Sequence, residues 1–203
     1  MELPCDDKIL VKYENYMSKD DYDKYWWVIY CINSLSSPIG VSVIADCSNI
    51  SRDDFNNLSI DKQLPIVIDA IKRVFIYVMT KVITIHGIAM NILLKDEGIP
   101  RFVLLAMSVE TIFACLEKAI TDEKIDISEY VTSVVNSEIR KNLDNLQLKT
   151  PRDFNHMMCL MHMTNLFSYT KADDIKNNVD DIITALSDIM KTKHREIIGN
   201  HYN

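Results

Sequence analysis

The sequence predicts an all-α protein, a compact bundle of seven or eight helices around a buried central helix. Three observations predict it. Apolar residues recur at three- and four-residue steps along most of the 203 residues, the spacing of a helix face. Only 4 glycines interrupt the pattern, and each stands alone. The segment from Arg101 to Ala119 is apolar on nearly every face between Phe102 and Leu116, with Glu110 the exception. A helix that is hydrophobic all round is expected to be buried on all sides.

Each element follows in order. Ile9, Leu10, Tyr13 and Met17 predict a short first helix. Tyr22 to Leu35 is aromatic enough for a strand, but its length favours a helix ending at Ser34 to Pro38. Ile39 to Ala45 is β-like without a partner strand, so an extended connection is expected. Asp46 to Ser59 is polar and broken. Within it Ser51 and Asp54 resemble a capping box, which predicts one helical turn. Ser59 caps a long helix whose start holds Asp61 and tolerates Pro65. Ile66, Ala70, Ile71, Val74, Phe75, Val78, Val82 and Ile85 form its stripe, with Asp69, Lys72, Arg73 and Lys81 off it. Gly87 marks a bend or a break, since glycine costs about 1 kcal/mol in a helix relative to alanine.

Lys95 to Pro100 reads as a turn, with Gly98 stopping one helix and Pro100 opening the next. Asp126 to Leu146 is amphipathic through Ile127, Tyr130, Val131, Val134, Val135, Ile139 and Leu143. Thr150-Pro151 opens a helix running to about Tyr169. Asp173 or Asp174 opens the last, with Ile175, Val179, Ile182, Ile183, Leu186, Ile189 and Met190 inward. No repeat and no Gly/Ser/Pro linker is visible. Residues 1–60 read as N-terminal helices and an irregular connection that can belong to the same domain, and residues 61–203 as the bundle.

Composition narrows function. The net charge is −7, and no Lys/Arg-rich stretch of five residues exists, so nucleic-acid binding is disfavoured. Isolated glycines cannot build a phosphate-cradling loop. The 5 cysteines are scattered, odd in number and without CxxC spacing, which predicts reduced thiols rather than a disulfide framework. Met1 to Asp7 does not look like a secretory leader. The longest uncharged run, Val82 to Leu94, falls short of the roughly 18 residues a membrane span requires. Lys191 to Asn203 is polar and carries no membrane tail. Host cytoplasm is the expected location.

No catalytic, cofactor or metal site is expected. His156, Cys159 and His162 are spaced by three, but the two histidines lie about 600° apart around a helix, and the stretch reads as Met-rich packing. Cys115 sits in the most apolar helix, where a thiolate is disfavoured. Asp173-Asp174 and Asp180-Asp181 are adjacent pairs that do not face each other and read as capping residues. Ten methionines offer adaptable apolar surface, mostly as core.

The stretch Asn91-Ile92-Leu93-Leu94-Lys95-Asp96-Glu97-Gly98-Ile99-Pro100-Arg101-Phe102-Val103-Leu104-Leu105-Ala106 resembles the turn into the buried hairpin helix of poxviral Bcl-like proteins. The Ile-, Asp- and Asn-rich composition is similar too. In cellular members an aromatic residue precedes the glycine and an arginine follows it. Here Glu97 and Ile99-Pro100 stand in those places. The resemblance implies a bundle with a surface groove that takes an amphipathic ligand helix. Arg101 would meet an aspartate on that helix, and Val78, Val82, Met90 and Leu105 would supply apolar contacts. The implied function is inhibition of apoptosis by binding pro-death Bcl-family helices. The alternative, suited to a tailless member, is antagonism of innate signalling adaptors leading to NF-kappa-B or interferon regulatory factors. A viral structural or assembly subunit is a further alternative. Host proteins are the expected partners, and a homodimer fits as well.

Overall fold

The structure is a computed structural model and describes residues 8–35, 50–141 and 172–201. Among these every regular element is helical, as expected. The expected extended run Ile39 to Ala45, the helix Thr150 to Tyr169 and the end of the Asp126 to Leu146 helix lie outside the described residues. The chain divides into two compact units, Met1–Tyr77 with Asp173–Asn203, and Val78–Ala172.

The first unit begins with α1 (Lys8–Val11) and a 3-10 turn at Glu14–Tyr16. Helix α2 (Lys19–Leu35) starts earlier than its apolar pattern, because Ser18 caps it. The Ser18 hydroxyl accepts from the Asp21 amide (3.1 Å) and donates to the Asp21 carboxylate (2.7 Å). Ser51 does the same for α3 (Arg52–Asn56), with 3.1 Å from the Asp54 amide and 2.6 Å to its carboxylate. Ser51 therefore caps its helix as expected, but the Asp54 carboxylate takes the Ser51 hydroxyl and not its backbone amide, so the reciprocal half of a capping box is not formed; each cap satisfies one orphan helix amide.

Helix α4 (Ile60–Leu93) contributes its first half to this unit. The Ser59 carbonyl accepts from the Lys62 and Gln63 amides at 3.0 Å, which starts the helix where the sequence placed it. Pro65 is the sixth residue and exposed. Its missing N–H costs the helix only a bond near the frayed end. Val67, Ala70, Ile71, Val74 and Phe75 are buried at helical spacing. Helices α7 (Ala172–Asn177) and α8 (Val179–His201) complete the unit, and α8 packs on α2. The single last helix expected from Asp173 onward is broken at Asn178, whose carbonyl accepts the Ile182 amide and starts α8 afresh.

Two polar clusters pin this unit. Gln63 is 3% exposed and uses its whole amide. Its Nε2 donates to the carbonyls of Phe55 (3.0 Å) and Leu58 (2.9 Å), and its Oε1 accepts from Lys12 Nζ (2.6 Å) and the Tyr13 hydroxyl (3.3 Å). Two donors and two acceptor sites are all an amide side chain has. One residue thus ties the turn after α1, helix α3 and helix α4 together. Elsewhere Lys72 reaches Asp180 at 2.7 Å, linking α4 to α8. The Asp180 bond raises the Lys72 pKa against the pull of burial, and burial raises that of the neighbouring Tyr25.

The second unit holds the rest of α4, then α5 (Arg101–Thr121) and α6 (Ile127–Val134), which runs into a π-helical turn at Val135–Ile139. Asp126 caps α6, accepting from the Glu129 amide at 3.0 Å. Helix α4 passes through Gly87 without the expected bend or break. Gly87 is exposed, and α4 remains continuous through it. The intact bonds of neighbouring turns outweigh one glycine's entropy. Ile85, Leu93, Met107, Ile112 and Leu116 are fully buried, each contributing about 1.5–3 kcal/mol on burial.

Helix α5 is not enclosed on every side, contrary to its composition. Leu104, Met107, Ser108, Thr111, Ile112, Cys115 and Ala119 face inward, whereas Val103, Leu105, Ala106 and Phe113 are half-buried and Ala114 is exposed. Two hydroxyls sit on the inward face because each has a partner. Thr111 donates to the Met107 carbonyl (2.8 Å), and Ser108 pairs with His86 (2.7 Å). Apolar composition alone did not show which face turns in.

Candidate partner-binding surface

The turn between α4 and α5 presents the candidate site. Gly98 adopts φ +92°, a conformation that residues with a side chain rarely take, so glycine is required to turn the chain here. Pro100 follows in extended conformation, and Arg101 is the first residue of α5. Asp96, within the turn, pairs with Arg140 Nη2 at 3.0 Å, which ties the turn to the residue after the π turn. The Arg140 Nε is buried and has no hydrogen-bond partner.

Arg101 is exposed and is in no ion pair among the described residues. Its position does not favour its own helix. A helix N-terminus carries partial positive charge, and a cation there is disfavoured by about 0.3–1 kcal/mol. A planar guanidinium is the side chain best shaped to grip a carboxylate in bidentate fashion. Leu105 lies one turn further on the same face and is half-buried. Met90, on α4, is half-buried too. Val78 and Val82 are different: they are 1% and 0% exposed, one turn apart, in the core. Val82 and Met90 point about 80° apart around α4. The structure therefore places Arg101 and Leu105 on one face and keeps the two valines inside. A ligand reaches those valines only if the side chains covering them move.

The other chemistry of this unit is interior. His86 Nδ1 lies 2.7 Å from the Ser108 hydroxyl, joining α4 to α5. Burial pushes the imidazole pKa down, which favours the neutral ring. Ser108 is fully buried, so its hydroxyl serves packing. Cys115 is buried, and its thiol is pushed up to about 11, by burial first and then by the charge of Glu138. It stays a thiol at neutral pH.

No family model, curated protein or solved structure matches the chain. Among the described residues no group of three His, Cys, Asp or Glu is placed to hold a metal ion. His156, Cys159 and His162 lie outside those residues. No helix of the described residues is long and apolar enough to cross a membrane.

Sequence reasoning missed a second surface feature, in the other unit. On α2 the Trp26 and Tyr30 rings stack, with centroids 5.5 Å apart and planes at 15°. Trp27 meets both edge-on, at 4.7 and 5.6 Å. Tyr30 is 37% exposed, Trp26 and Tyr22 are half-buried, and the opposite face of α2 buries Tyr25, Val28, Ile29 and Ile32. The four-residue spacing of Tyr22, Trp26 and Tyr30 was the available signal.

Proposed function

We propose that this chain acts by binding another protein, as a viral inhibitor of apoptosis that takes an amphipathic pro-death helix against the face carrying Arg101. The observation that carries this reading is the exposed guanidinium of Arg101, which is in no ion pair among the described residues and is held at a helix start where it does not stabilise the fold. A Bcl-like ligand helix supplies a carboxylate for it. Leu105 and Met90 supply half-exposed apolar surface for the ligand's non-polar face. The resemblance of residues 91–106 to poxviral Bcl-like proteins supports the same choice.

The burial of Val78 and Val82 favours a second reading, in which an outer helix face binds an innate signalling adaptor and no groove opens. Calorimetric titration of the full chain with a panel of pro-death helical peptides separates the two. The first reading expects submicromolar binding that Arg101→Ala weakens at least about tenfold, a loss of roughly 1.4 kcal/mol. Because Arg101 opposes its helix dipole, the substitution leaves thermal stability unchanged or slightly raised. Absence of binding across the panel rejects the groove reading and leaves the second.

A further inference from the structure

The acidity of the chain is unevenly spread. Residues 78–172 carry 10 basic and 11 acidic side chains, so −6 of the net −7 falls on the other unit. That unit also displays Val11 and Tyr16, each 54% exposed, and Tyr30 at 37%. Both tryptophans of the chain join Tyr30 in the α2 cluster.

Aromatic faces attract cations, and this unit already uses the attraction twice. Lys12 Nζ lies 5.5 Å from the Tyr13 ring centroid, and Lys24 Nζ lies 5.8 Å from that of Tyr25. Tyr30 is offered no cation by its own helix. The residues one turn away are Trp26, Trp27, Asn33 and Ser34. A half-exposed Trp-Tyr stack on an acidic body is suited to a cationic, partly apolar chain. Lys or Arg heads sit over the rings, and their methylene stems lie along them. Tyrosine and tryptophan are also the residues that most often dominate interface energetics.

We propose that the Trp26–Tyr30 face of α2 is a docking surface for a basic, amphipathic segment of a partner protein. It lies on the other unit from Arg101 and does not depend on the reading proposed for that residue.

The test is calorimetric titration of the full chain with a short amphipathic Lys/Leu peptide and with its Glu/Leu counterpart, while tryptophan emission is followed. The Lys/Leu peptide is expected to bind saturably, shift the emission and lose affinity as salt is raised. Tyr30→Ala weakens binding about fivefold to tenfold. Tyr30→Phe retains most of it. Tyr30 is exposed, so the variants keep their fold, which circular dichroism checks. Equal binding of both peptides, no binding, or an unchanged affinity in Tyr30→Ala overturns the proposal. So does a concentration-dependent dimer abolished by Tyr30→Ala, which makes a second copy of the chain the occupant.

Discussion

Replacing Gln63 by leucine removes an amide that four groups share. Leucine has nearly the same volume, so packing is little disturbed and the loss is polar. The Phe55 carbonyl keeps the Asn57 and Leu58 amides, but the Leu58 carbonyl and the Tyr13 hydroxyl each lose a bond to Gln63. Lys12 is exposed and returns its ammonium to water, so its bond counts for little. A typical net bond is worth about 1 kcal/mol, and a buried group left unpaired costs about 1–3 kcal/mol. The expected destabilisation is therefore about 2–4 kcal/mol. Urea unfolding followed by circular dichroism reads it as a midpoint lowered by roughly 1–2 M at unchanged slope. Gln63→Glu sharpens the test. A carboxylate keeps the bonds from Lys12 and Tyr13 but points an acceptor at two carbonyl oxygens. It should be as damaging as leucine at neutral pH and partly restored in acid, where the protonated group donates one bond. A Gln63→Leu variant within about 0.5 kcal/mol of the parent, the range of an ordinary surface change, refutes the reasoning.

Three further outcomes are expected. Gly87→Ala meets no atom within 4 Å and raises stability by about 0.5–1 kcal/mol, whereas Gly98→Ala at φ +92° lowers it by about 1 kcal/mol or more; thermal melts of both variants check the opposite signs. His86 has its pKa lowered by burial, so the unfolded chain binds the proton first. Its contribution is complete above the unfolded pKa of about 6.5 and is lost as pH falls from there through the folded value. Urea midpoints between pH 7 and pH 5 should fall less in His86→Gln than in the parent. Cys115, with its thiol at about 11 and no surface, resists iodoacetamide in the folded protein at pH 8 and reacts in urea, as mass spectrometry of the Cys115 peptide reads directly.

The long elements were legible because their signals are local and repeated. The α4 stripe from Ala70 to Ile85, the Ser51 cap and the Gly98 turn each depend on residues within a few positions of one another. What was missed depends on pairing over distance. Gln63 reads as an ordinary surface residue until Lys12 and Tyr13, 51 and 50 positions away, close on it. Ser108 and Thr111 sit on the inward face of α5 because each finds a partner there, which the sequence pattern does not show. Of the candidate site, the exposed Arg101 and half-buried Leu105 and Met90 are placed as surface residues. The valines were chosen from an apolar stripe, and a stripe marks core and groove alike.

The π turn at Val135–Ile139 bears on how the chain tolerates a change of length. Within an α-helix a deleted residue swings everything downstream by about 100°. A π turn stores an additional residue as a local widening, and here it lies between α6 and Arg140. Facing matters on both sides, because Val131 and Val134 are buried before the turn and Arg140 grips Asp96 after it. Removing one residue between 135 and 139 would let the widening relax into an ordinary helical turn, with the valines still inward and the arginine still over the α4–α5 turn. On this geometry the stretch would act as a one-residue reserve, where the gene could shorten by a codon with Val131, Val134 and Arg140 still in register.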